Sequence, residues 1–569
     1  MTTVNPSGNS DESYSSYEEI DKSELTFDGS ISNDEAYLLV NNDDDDDNND
    51  NGAAATYEEA FQATGFGKWQ FLLLLQCGWA NASDAMEIMC ISLTISSLRE
   101  SLKLSSQQLT WLVIVLFLGM MVGGYLWGTL ADSWGRRQIV IFSLAINGIF
   151  GVGSAFARSY HVILVLRFFS GIGAGGSLPV CFSYFSEFQP KEKRGAMISA
   201  LATFWMAGNL LTAGLGYAIL PSERNLHSIS PFGQPWRFFI IMCAVPSISS
   251  SLFFILMPES PKFLMQKGRN VEALNVLKRV FMMNHPNKAV FPYSKIVSER
   301  HQSIFKAQKC ENPSLSYSQL YVHHLRYGDK RLHCICRPKR LCYSVVGFFV
   351  SILDSIKHQV MAVCAGAERI TSVMMVVIYF CIAFSGYSVS MWLPTLMEKA
   401  EAFSGSPCAA HNMSHQHKNA TAQVYLDVLI DCAAQLPANI FTILVIDITG
   451  GKIILIISFI ASGVSVLFMW LVKNKLQVVI MGAVFNAFST MVWNALDVVT
   501  PEMYETSVRA SASGFLTAIS RIASVMGNVI FGLYVEEDCS VPILNASIVL
   551  FIGGVASFFI PNTKHITLK

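Results

Sequence analysis

The sequence predicts an all-α membrane protein with twelve transmembrane helices in two six-helix bundles. Three observations carry that reading. Of the 569 residues, 52% are apolar or aromatic and only 14% charged, with mean hydropathy +0.40; soluble domains carry about a quarter charged residues. Apolar runs of about 20 residues recur from Trp69 onward, each long enough for a ~30 Å hydrocarbon core. A long polar stretch parts them into six and six.

Residues 1–68 read as a disordered, acidic, cytosolic tail, with 17 acidic and 2 basic side chains against 25 and 38 in the rest. Its apolar island, Tyr37-Leu38-Leu39-Val40, follows Asp34 and Glu35. It spells an acidic-dileucine and a Tyr-x-x-apolar sorting signal, which clathrin adaptors read in extended form; chance similarity is the competing reading. The N-terminal bundle occupies 69–257, with spans at 70–97, 109–131, 138–157, 160–184, 196–220 and 237–257. A cytosolic loop fills 258–370, and its 13-residue apolar run Leu341–Leu353 is too short to be a span. The C-terminal bundle, 371–560, has spans at 371–397, 424–446, 453–471, 476–498, 510–533 and 542–560, before a cytosolic end at 561–569. With the tail inside, most of the 40 Lys and Arg residues lie inside, although the central loop supplies much of that bias. The sequons at Asn412 and Asn419 then fall in an outside loop, between spans 7 and 8, where glycans attach.

Several function classes are disfavoured. The basic excess lies in loops of an apolar body, so no nucleic-acid partner is expected. The 13 cysteines lack CxxC or Cys/His spacing, so neither a disulfide scaffold nor a metal site is expected. No GxxxxGK[ST] loop occurs. We expect no cofactor, no catalytic residues and no enzymatic activity.

The motifs then accumulate. Gly128-Thr-Leu-Ala-Asp132-Ser-Trp-Gly135-Arg136-Arg137 follows span 2 and resembles the signature loop of the major facilitator superfamily. Arg167 with Gly171, Gly173, Gly175 and Gly176 resembles its span 4, and Pro258-Glu-Ser-Pro-Lys262 the end of span 6. Asp447 to Lys452 and Pro501-Glu502 with Arg509 repeat the scheme weakly in the second half, as internal duplication predicts. Asp84-Ala-Met-Glu87, Phe204 to Asn209 and especially Trp493 to Tyr504 resemble the synaptic vesicle glycoprotein 2 and related-protein group. The large luminal domain of the glycoproteins has no counterpart in the short span 7–8 loop. The resemblance implies the major facilitator fold and a solute site between the halves. It also implies a latch at Gly128, Asp132, Gly135, Arg136 and Arg137, in which Asp132 opposes the start of span 11.

Asp84 and Glu87, at i and i+3, share one face of span 1. Charges inside a bilayer are expensive unless they pair or face a cavity. Two readings stand: the acids line the central cavity and bind a cation or protons, or they are permanent ion-pair partners of Arg167. Asp497 and Arg521 invite the same pair of readings in the second half, and Asp427 and Asp431 read as a solvated outer rim. Trp205 and Trp493 fall mid-span at corresponding positions; the resemblance implies that they line the central site, where two indoles clamp a flat or cationic solute. The expected partners are a small organic solute, protons and the lipid bilayer. Two functions follow from this reading: secondary active transport by alternating access, or a transport-silent vesicle protein acting in trafficking.

Overall fold

A computed structural model describes residues 53–190, 193–221, 234–286, 290–297, 369–402, 421–504, 509–535 and 538–561. Asp34, Tyr37–Val40, Leu341–Leu353, Asn412 and Asn419 lie outside the described residues.

Each of the twelve apolar runs is a helix. The first six are α2 (Lys68–Leu102), α3 (Ser106–Trp134), α4 (Arg136–Ala155), α5 (Tyr160–Ser186), α6 (Arg194–Ile219) and α7 (Pro235–Phe254). The second six are α10 (Arg369–Ala402), α11 (Ala422–Thr449), α12 (Gly451–Leu471), α13 (Lys475–Met503), α14 (Arg509–Tyr534) and α15 (Ser540–Phe558). Among the described residues, eleven are long and apolar enough to cross a membrane. The remaining one, α2, carries Asp84, Glu87 and several polar neighbours that dilute its hydropathy. Its 35 residues nevertheless span about 52 Å, buried over most of their length, with Phe71, Leu72 and Leu75 exposed near the start.

The same packing scheme occurs twice. In the N bundle α3 lies on α5, α4 on α5 and α7, and α2 on α6 and α7; α11, α13, α12, α15, α10 and α14 repeat those pairs. Glycine makes the α3–α5 contact close: a Cβ on Gly123 would run into the Ile172 carbonyl, and one on Gly175 into that of Met120. Between bundles α3 meets α14, and α6 meets α11.

The face where the chain enters α2 is called here the tail face, and the opposite one the distal face. The bundles touch at the distal face. There Ser92 Oγ donates to the Met391 carbonyl at 2.6 Å, Ser96 Oγ donates to Glu398 Oε2 at 2.5 Å, and Thr110 fills the space beside Gly532. At the tail face they stand apart. A Cβ on Gly128 of α3 or Gly514 of α14 would meet nothing within 4 Å.

The boundaries of the tail and the central loop need correction. Residues 53–68, assigned to the disordered tail, form β1 (Ala53–Thr56) and α1 (Tyr57–Ala63). The loop after α7 holds α8 (Pro261–Gln266), α9 (Asn270–Asn284) and β2 (Tyr293–Val297). β1 pairs parallel with β2, and Phe61, Leu274, Leu277 and Phe281 share a small core. The α1 start carries a capping box: Glu59 N–H donates to Thr56 Oγ1 at 3.2 Å, and Thr56 N–H donates to Glu59 Oε2 at 3.0 Å. Asn284 ties this cap to α2, accepting from Trp69 N–H at 2.9 Å and donating to the Thr64 carbonyl at 3.1 Å. Sequence reading missed the cap because its strands pair across more than 230 residues of chain.

Candidate functional site

Between the bundles lies a cavity of about 430 Å³. The N bundle contributes Asn81, Trp205 and Asn209 to its walls; the C bundle contributes Asp431, Asn486, Trp493, Asp497 and Arg521. The distal contacts close it at one end. Toward the tail face its lining includes the exposed Ser513 and the half-buried Phe182.

Tyr387 of α10 organises the C-bundle wall. Its ring lies 5.9 Å from Trp493, 5.4 Å from Phe117 of the opposite bundle, and 5.7 Å under the Arg521 guanidinium. Tyr379 meets Trp493 edge-on at 6.2 Å, fixing the indole from a second side. Trp205 and Trp493 thus face one cavity from opposite bundles. Amides tie the walls together: Asn209 Nδ2 donates to Gln435 Oε1 at 3.3 Å, and Asn439 Nδ2 to Thr203 Oγ1 at 2.7 Å.

The acids of α2 are placed elsewhere. Asp84 and Glu87 do not line this cavity; they are buried within the N bundle, so the cavity-lining reading is corrected. Glu87 Oε1 pairs with Arg167 Nη1 at 2.6 Å and also accepts from Ser170. Asp84 accepts from Ser177 Oγ at 2.6 and 2.7 Å and from Asn147 Nδ2 at 3.4 Å. One acid is therefore ion-paired, while the other is held by neutral donors. The reason is helical phase: one turn of α2 sets Glu87 beside Arg167, and Asp84 beside the small residues of α5.

The second half does not repeat that pair. Among the described residues no ion pair joins Asp497 to Arg521; Asp497 is exposed to the cavity, and Arg521 lies over Tyr387 instead. The solvated-rim reading of Asp427 and Asp431 also fails, since both are buried. Asp427 pairs with Lys475 at 2.9 Å, and Asp431 accepts from Asn486 in the cavity wall. A signal for Asp431 was present. Asp427, Asp431, Gln435 and Asn439 recur every four residues, making a polar stripe on an apolar helix.

At the tail face the latch residues form a bonded corner. Gly135 has φ +110°, and its Cα faces Glu259 so closely that a Cβ would collide with the carboxylate. Arg137 N–H donates to Glu259 Oε1 at 3.1 Å, and its guanidinium donates to the Phe254 carbonyl at 3.1 Å. Arg136 pairs with Asp132 and Glu187, each at 3.3 Å. Burial raises the Glu187 carboxyl above its ordinary range, with Arg136 opposing that rise. Asp132 is 79% exposed and pairs within its own bundle.

Residues 53–319 match the family described as sugar (and other) transporter. Synaptic vesicle glycoprotein 2A of Rattus norvegicus is 30% identical over 620 residues, covering 90% of this chain and 80% of the relative. Synaptic vesicle glycoprotein 2B of Homo sapiens is 27% identical over 616 residues, covering 90% and 86%. The chain belongs to the synaptic vesicle glycoprotein 2 family, within the major facilitator superfamily. Among solved structures, the partially occluded inward open conformation of the xylose transporter XylE from E. coli has TM-score 0.61 at 18% identity, covering 88% of this chain and all of that one. The proton:xylose symporter XylE bound to 6-bromo-6-deoxy-D-glucose has TM-score 0.60 at 17% identity, covering 90% and 98%. At that identity the likeness shows the fold alone. This family member is thus a multi-pass membrane protein with the fold of a transporter, and its family match begins at β1, so the tail-face cap lies within it.

Proposed function

We propose that the chain is a secondary active transporter that moves a small polar organic solute, sugar-like or ionic, across a vesicle or plasma membrane by alternating access. The observation that carries this reading is a cavity walled by both bundles, touched by an indole from each and closed by contacts at the distal face. Coupling to protons falls to Asp84, whose neutral hydrogen-bond donors leave it free to exchange a proton, with Glu87–Arg167 holding the neighbouring helices. The tail face is cytosolic. Cys539, between α14 and α15 at the distal face, is disulfide-bonded, and disulfides persist in oxidising compartments. Asn412 and Asn419 would carry glycans on the same side. Replacing both with Gln should abolish a glycosidase-sensitive gel shift.

The test is uptake of labelled hexoses and small organic ions into proteoliposomes, with and without a pH gradient. A solute accumulated only under the gradient supports the reading. No accumulation of any tested solute, in a protein that is monodisperse and correctly oriented, would count against it. That outcome favours a second reading, which the similarity to synaptic vesicle glycoproteins supports: a transport-silent vesicle protein, recruited by clathrin adaptors through Tyr37–Val40.

A further inference from the structure

Two buried charged side chains in the cavity wall each carry one polar atom without a hydrogen-bond partner. Arg521 is 7% exposed and its Nη1 has no hydrogen-bond partner. Asp431 is 2% exposed; Asn486 donates to its Oδ2, while Oδ1 has no partner. Both line the same cavity, and among the described residues no ion pair joins them. Arg521 is also within electrostatic reach of Asp84, and among the described residues no ion pair joins them. A buried charge without a partner is a destabilising arrangement that persists where a ligand completes it.

We propose that this cavity takes a small zwitterion, its carboxylate seated on Arg521 and its cationic nitrogen at Asp431. The proposal deepens the transport reading by naming the solute class, but binding itself does not depend on transport. The alternatives leave a charge uncompensated. A neutral sugar satisfies hydrogen bonds and neither charge; a simple cation leaves Arg521 Nη1 unpartnered, and a simple anion leaves Asp431 Oδ1 unpartnered. The rest of the wall fits. Trp205 and Trp493 line the same cavity, and an indole attracts a quaternary or primary ammonium group. Asp497, exposed where water reaches it, draws the cationic end inward and needs no partner of its own. The volume of about 430 Å³ admits a compact solute.

The experiment uses four near-isosteric probes on the purified full-length protein: glycine betaine, choline, 3,3-dimethylbutyrate and 3,3-dimethylbutanol. They present both charges, the cation, the anion and neither. Quenching of tryptophan fluorescence reads binding. Betaine should bind at least about tenfold more tightly than each of the other three, a difference of about 1.4 kcal/mol. Arg521→Gln should reduce the preference for betaine over choline, and Asp431→Asn the preference over 3,3-dimethylbutyrate. If either variant fails to fold, the series on the parent protein still decides. Equal binding of all four probes, or no binding of betaine, overturns the proposal. Uptake separates this from the broader reading: hexose accumulation without betaine binding removes the zwitterion and keeps the transporter. Betaine binding without uptake of any solute does the reverse.

Discussion

Glu87 and Asp84 are three residues apart and have different physical situations. Removing the Glu87 charge strands Arg167 in a buried, low-dielectric setting at a cost of about 3–5 kcal/mol. Glu87→Gln should therefore lower the melting temperature and the yield of mature protein. Combining it with Arg167→Leu should restore much of both, because no charge is left unpaired. Full stability of the single variant would refute that ion-pair account. Asp84→Asn keeps a side chain that Ser177 and Asn147 can still bond, so abundance should persist while pH-driven uptake disappears; unchanged pH dependence would remove Asp84 from coupling. Glu187 supplies a pH test outside the membrane. Its raised carboxyl holds a proton in the folded state that the unfolded chain releases. Its contribution to stability is therefore fully present at low pH, and declines as pH rises from the ordinary carboxylate range through the raised value. The melting temperature of the parent minus that of Glu187→Gln should fall across that window. A difference independent of pH sinks this assignment.

At the scale of elements, α3 and α14 are arranged asymmetrically along their length. At the distal end Thr110 fits against Gly532, leaving no room for a side chain there. At the tail end Gly128 and Gly514 face open space. Closing the tail face must bring these two smooth ends together. Gly128→Leu should leave the melting temperature unchanged, since its side chain meets nothing here, yet reduce uptake by about tenfold, or about 1.4 kcal/mol. Cysteine probes at the tail face should then label the variant more readily than the parent; equal labelling and full uptake would show that the helices never approach there. This pairing was partly legible in the chain. The Gly128–Arg137 motif marked a helix end and a tight turn, and Gly135 has the positive φ that such a turn demands. The partner of Asp132, Arg136 of its own bundle, was not legible, because the motif alone does not settle which charges the fold brings together.

For the whole molecule, the cross-bundle contacts at the distal face predict how the two halves move. Ser96 and Glu398 sit on α2 and α10, one in each bundle, and are hydrogen-bonded. Cysteines at both positions, joined by a short crosslinker, should hold the distal face shut. Uptake should stop, while solute added from the tail side still binds. Continued uptake after complete crosslinking would exclude a rocking movement of the bundles. Hydropathy alone determined the number of long, membrane-length helices, their limits to within a few residues and their division into two sets, because each span must satisfy its backbone internally in lipid. The buried acids, Arg167 and the two central tryptophans were also visible, since charge and indole are conspicuous against an apolar background. Only the tertiary structure decided which groups meet. The phase of each helix sends Asp84 and Glu87 into the N bundle and Asp431 into the cavity wall. Contacts between residues far apart in sequence join β1 to β2, and leave Arg521 over Tyr387 with an unpartnered nitrogen. Hydropathy depends on local composition, whereas partnership depends on the relative rotation and spacing of helices, which no single segment encodes.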